Sequence, residues 1–86
     1  MLQVDAIRQR ILEALPAGSE VEVKDLTGTG DHFEARVVSP AFSGKSMVQQ
    51  HQLVYAPLQD WLKTGELHAL ALKTYSPEQW QKLGSR

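Results

Sequence analysis

The sequence predicts an α+β fold in the element order αββααβα, with a three-stranded mixed sheet and helices packed mainly on one face. Three observations carry this reading. Two alternating segments, Glu20 to Lys24 and Phe33 to Val38, flank a glycine-rich connection from Asp25 to Asp31 and read as an antiparallel hairpin. A crossover with two helical patterns then separates the second strand from a third, at about Leu67 to Thr74, and a connection of that length favours a parallel, right-handed return. Helical patterns also precede the first strand and follow the last.

In chain order, Val4, Ile7, Ile11, Leu12 and Leu15 recur at helical spacing, opposite Asp5, Arg8, Gln9 and Glu13, and Pro16-Ala17-Gly18-Ser19 ends that first helix. Val21 and Val23 form the inward row of the first strand; Phe33, Ala35 and Val37 form that of the second. Ser39-Pro40 closes the second strand, because proline brings no amide donor to a ladder and biases its predecessor away from helix. Phe42 then folds back onto the core from the turn Phe42-Ser43-Gly44-Lys45. Ser46 is an N-cap with Gln49 reaching back, for a helix containing Met47, Val48, Leu53, Val54 and Tyr55. Pro57 opens a further helix with Leu58, Trp61 and Leu62 inward and Gly65 as C-terminal cap. Ser76-Pro77-Glu78-Gln79 is a strong start for a short final helix, and Trp61 and Trp80 read as core anchors.

At 86 residues the expected organisation is one domain over residues 1–86, too short to enclose a buried active site. The chain has no cysteine, so any soft-metal site must use histidine or borrow thiolates. Residues 1–34 carry three cations against seven carboxylates, a net charge of -4, whereas 35–59 hold only Arg36 and Lys45 and no acid. One end should be acidic and another mildly basic, a thin footprint for nucleic acid. The N-terminus lacks the basic flank and apolar region of a signal peptide, and no stretch approaches the roughly 20 apolar residues of a membrane span, so a cytoplasmic protein without membrane partners is expected. Asp60, Glu66 and Glu78 are dispersed, and no nucleophile is paired with a base, which argues against an enzyme. Gly28 and Gly30 lie between strands rather than before a helix and form no phosphate cradle.

The chemistry-bearing residues are the three histidines. His68 opens the apolar run His68-Ala69-Leu70-Ala71-Leu72, which would fix its backbone while its ring emerges at the sheet rim. His32 ends the glycine-rich loop, and His51 sits mid-helix. Each also has a structural reading: His68 as a strand-start residue capping a carbonyl, His32 as a solvated loop residue, and His51 as a hydrogen-bonded structural histidine, the last being favoured.

The blocks Val37-Val38-Ser39-Pro40-Ala41-Phe42-Ser43-Gly44-Lys45-Ser46, then His51, Val54-Tyr55, and His68-Ala69-Leu70 through Trp80 resemble the BolA family. Gly30-Asp31-His32-Phe33 is similar to its short-loop branch. The resemblance implies a BolA-like fold similar to class II KH domains, αββααβ(α), without the GXXG loop that grips nucleic acid. It implies an adaptor in iron-sulfur cluster assembly, trafficking and iron homeostasis, in which a heterodimer with a monothiol glutaredoxin shares a [2Fe-2S] cluster. The partner's cysteine and glutathione would supply thiolates, with His68 as the histidine that opens strand three and His32 as the loop ligand. The isolated chain, a monomer or weak homodimer, would then hold no cluster.

The family's other implied role is DNA binding through a helix-turn-helix-like pair, in transcription regulation of morphology and stress response. Here phosphate contacts would come from Arg36, Lys45 and Lys73. Gln50-His51-Gln52, however, lacks the basic residues that usually flank the central histidine. Weak DNA binding is the expectation.

Overall fold

The computed structural model describes residues 2–28 and 32–83. The elements are α1 (Val4–Glu13), β1 (Glu20–Asp25), β2 (His32–Val38), α2 (Met47–Tyr55), α3 (Gln59–Thr64), β3 (Ala69–Tyr75) and α4 (Pro77–Lys82), with 3-10 turns at Pro40–Phe42 and Ala56–Leu58. The strand order is β1-β2-β3. β1 and β2 pair antiparallel, with Val21 opposite Val37 and Val23 opposite Ala35. β2 and β3 pair parallel, from His32 opposite Ala69 to Val38 opposite Tyr75. The predicted mixed sheet and parallel return are both present. Residues 29–31 of the glycine-rich connection, Gly30 and Asp31 among them, lie outside the described residues.

Local chemistry explains the boundaries. Ser46 and Ser76 each accept a hydrogen bond from the backbone N–H three residues on, and the side-chain oxygens of Gln49 and Gln79 accept one from the cap residue's own N–H, so both predicted capping boxes form. Gly65 ends α3 in the left-handed region, φ 84°. Beyond it the Leu67 N–H bonds the Trp61 carbonyl at 3.1 Å. Leu67 is therefore part of the α3 cap and is buried, and the third strand starts at Ala69 rather than at the expected Leu67, leaving His68 just before it. Conversely, His32 is the first residue of β2, not a loop residue: its carbonyl accepts the Leu26 N–H at 2.9 Å and it pairs with Ala69.

The core lies between one sheet face and the helices. Ile7 and Ile11 of α1, Val21 and Val23 of β1, Phe33, Ala35 and Val37 of β2, and Phe42, Val54, Leu58 and Leu67 form one cluster, with Trp61, Leu70 and Leu72 packed against it. Phe42 is fully buried, as its turn predicts. Trp80 is not in this cluster. It stands half-buried against the Tyr75 ring, 5.2 Å between centroids, beneath the Arg36 guanidinium at 4.6 Å. Arg36 and Tyr75 alternate with the inward rows, so α4 covers the sheet's other face at one end. Met47 and Val48, at the start of α2, face solvent.

Candidate functional site

Two parallel strands that begin at the same level bring their starts together. His32 opens β2 and His68 directly precedes its register partner Ala69. Both side chains are exposed, and their rings lie stacked, 5.7 Å between centroids and 9° from parallel. Neither imidazole has a side-chain hydrogen-bond partner among the described residues. The β1–β2 turn brings Leu26, 57% exposed, against the same end through its bond to the His32 carbonyl. Sequence reasoning passed over Leu26; an apolar side chain in an otherwise polar turn was the available signal.

Two neighbouring imidazoles offer nitrogen donors to a borderline metal ion. Among the described residues no group of three or more histidine, cysteine or carboxylate side chains converges. The described residues at this end can thus furnish at most part of a metal's ligand set. The pair's backbone is held on both sides: His32 by the ladder, and His68 between the α3 cap and β3. The contrast expected between a rigid His68 and a loose His32 is absent.

His51 stands elsewhere. It is half-buried on α2, edge-on to Tyr55 one turn later at 6.4 Å, and its expected hydrogen bond is not found among the described residues. The Tyr55 hydroxyl instead donates to the Leu70 carbonyl at 3.3 Å. Its neighbour Gln50 is not a surface position. It is 3% exposed, its amide donates to the Phe42 and Lys45 carbonyls at 3.3 and 3.1 Å, and its oxygen accepts the Thr74 hydroxyl at 2.7 Å. A cation at position 50 would not face a phosphate, so its absence removes nothing from the surface.

Of the cations considered for DNA, Arg36 and Lys73 are register partners, but each faces a carboxylate: Glu22 at 3.7 Å and Glu34 at 3.6 Å. Arg36 is further held by Trp80, and one of its terminal nitrogens is buried without a hydrogen-bond partner. Lys45 lies apart from both, beside α2, and faces solvent. The three do not form a continuous basic patch.

Fold and histidine geometry together describe a small α+β domain whose two exposed histidines meet at one sheet end. A family model described as BolA-like protein matches residues 10–79, and the chain belongs to that family. The chain is 35% identical over 57 residues to the acid stress protein IbaG of Escherichia coli K12, a match covering 66% of this chain and 68% of that one. It spans about two thirds of the length of several curated relatives it matches. Among solved structures it is similar to a bolA protein homologue from Coxiella burnetii, with TM-score 0.78, 35% identity, and 94% and 99% of the two chains covered. It is also similar to the BolA domain of SufE1 from Arabidopsis thaliana, with TM-score 0.75, 39% identity, and 91% and 98% covered. No helix among the described residues is long and apolar enough to cross a membrane.

Proposed function

We propose that this chain is an adaptor in iron-sulfur cluster assembly and trafficking, and so in iron homeostasis, which shares a [2Fe-2S] cluster with a monothiol glutaredoxin. The observation that carries the reading is the stacked, exposed pair His32 and His68. Membership of the BolA-like family supports it, because the family resemblance assigns ligand roles to a histidine at the start of strand three and to a residue at the hairpin loop, for which this chain has His68, just before β3, and His32, where the loop enters β2. The residues fit half of such a site. A [2Fe-2S] cluster takes four protein or thiol ligands, and histidine can replace cysteine at two of them. This chain offers two imidazoles and no thiolate, and a glutaredoxin cysteine with glutathione would complete the set. The cluster would be cargo of the pair of proteins, and the chain's own part is to bind and orient rather than to catalyse. Exposed Leu26 beside the histidines gives a partner an apolar foothold.

The test is anaerobic reconstitution followed by visible absorption and circular dichroism. The isolated chain should stay colourless, and adding it to a monothiol glutaredoxin loaded with cluster and glutathione should change the spectrum. Stoichiometric iron and sulfide on the isolated chain, or no spectral change on mixing, would overturn the reading. A DNA-binding regulator is the lesser reading, since Arg36 and Lys73 are already paired.

A further inference from the structure

At the far end of β3 from the histidines a groove of about 340 Å³ opens between the start of α2 and the end of α4. Six residues of strand at about 3.3 Å each separate His68 from Thr74, so the groove lies roughly 20 Å from the imidazole pair. Its walls are Met47, 66% exposed, Tyr75, and Leu83, 60% exposed. Its floor is the Gln50–Thr74 pair, which is already satisfied and asks for no polar ligand. Lys45 and Lys82 flank it, and no carboxylate among the described residues lines it. The carboxylate on α4, Glu78, accepts a hydrogen bond from the Ser43 hydroxyl at 3.1 Å and does not line the groove. Neither lysine has an ion-pair partner among the described residues, unlike Arg10, Arg36 and Lys73.

We propose that this groove docks an acidic segment of a partner protein through a leucine-like side chain seated between Met47, Tyr75 and Leu83, with carboxylates on either side reaching Lys45 and Lys82. The argument is charge complementarity around an apolar slot. A phosphate backbone would meet the two lysines but would leave three apolar walls unfilled, which weighs against nucleic acid as occupant. The site is independent of the histidine pair. One chain would then carry two separate contacts at opposite ends of β3.

An acetylated, amidated peptide Asp-Glu-Leu-Leu-Glu-Asp, titrated into the ¹⁵N-labelled full chain, tests this. The expected result is saturable movement of the Met47, Tyr75, Lys82 and Leu83 amide signals with those of His32 and His68 unmoved. Affinity should fall about tenfold in a Lys45→Glu/Lys82→Glu variant and should not change in Lys63→Glu. Replacing the peptide leucines by serine, or its acids by lysine, should abolish binding. Equal binding of the lysine peptide, shifts outside the groove, displacement by a DNA duplex that occupies the same residues more tightly, or a concentration-dependent dimer seated on the groove would each overturn the proposal. Loss of the spectral change with glutaredoxin would leave these peptide results untouched, so the two readings fail separately.

Discussion

Polar side chains meet at both ends of the β2–β3 pair, and they meet under opposite conditions. At the strand starts, His32 and His68 are exposed and stacked, without hydrogen-bond partners among the described residues. At the strand ends, Gln50 and Thr74 are buried, and both functional atoms of the glutamine amide are used. Ser39 adds to the buried set: its hydroxyl meets that of Ser19 at 2.8 Å and accepts the Ala41 N–H at 3.1 Å. A buried polar group is retained only if it is satisfied, so the second end is a structural lock tying α2, the Pro40–Phe42 turn and β3 together. An exposed pair of imidazoles contributes nothing comparable to stability. Its conformation is available for a ligand.

The largest effect should come from breaking the lock with charge. Gln50→Lys puts an ammonium where three hydrogen bonds now close, and should destabilise by about 3–5 kcal/mol, the cost of an uncompensated buried charge. Thermal melting checks it, and an unchanged melting temperature would mean that Gln50 is far less enclosed than described. Thr74→Val keeps the shape but orphans the Gln50 oxygen, and should cost about 1–3 kcal/mol by denaturant unfolding.

At the other end, His32→Ala and His68→Ala should each change folding stability by no more than about 0.5 kcal/mol, as exposed substitutions do. The smallest effect concerns acid. Asp60 is held below its ordinary value of 3.8, first by the Arg10 guanidinium, whose Nη1 reaches both its oxygens at 2.7 and 2.9 Å. Glu78 is held below 4.5, first by its own backbone N–H, then by the Ser43 and Ser76 hydroxyls. Lowered carboxylate values stabilise the fold above the ordinary values, and that contribution is lost as pH falls through the lowered ones. Asp60→Asn should therefore lose less melting temperature than the parent on acidification below about pH 4, while being slightly less stable at neutral pH. Both carboxylates are exposed, so the difference is small.

What could be read from the sequence was what is local. The Ser46/Gln49 and Ser76/Gln79 boxes, the Gly65 cap and the alternation of β1 and β2 each depend on residues within a few positions, and all appear where expected. The strand boundaries at the site moved by one or two residues. Leu67 spends its N–H on the Trp61 carbonyl, a choice that apolar periodicity does not reveal. Gln50 was misplaced because its partner Thr74 is 24 residues away, although its position one turn before buried Val54 indicated the inward face. His32 and His68 were legible individually. Their juxtaposition was not, since it follows from the parallel register that sets His32 opposite Ala69.

The most direct measurement pairs function with stability in one set of proteins. The parent, His32→Ala, His68→Ala and Thr74→Val are each unfolded by urea and each mixed anaerobically with a cluster-loaded monothiol glutaredoxin under visible circular dichroism. The account predicts that both histidine variants keep the parent's unfolding midpoint while each abolishes or greatly reduces the spectral change, and that Thr74→Val shifts the midpoint while keeping the spectrum. Histidine variants with the parent's spectrum, or with the unfolding loss expected of Thr74→Val, would contradict it.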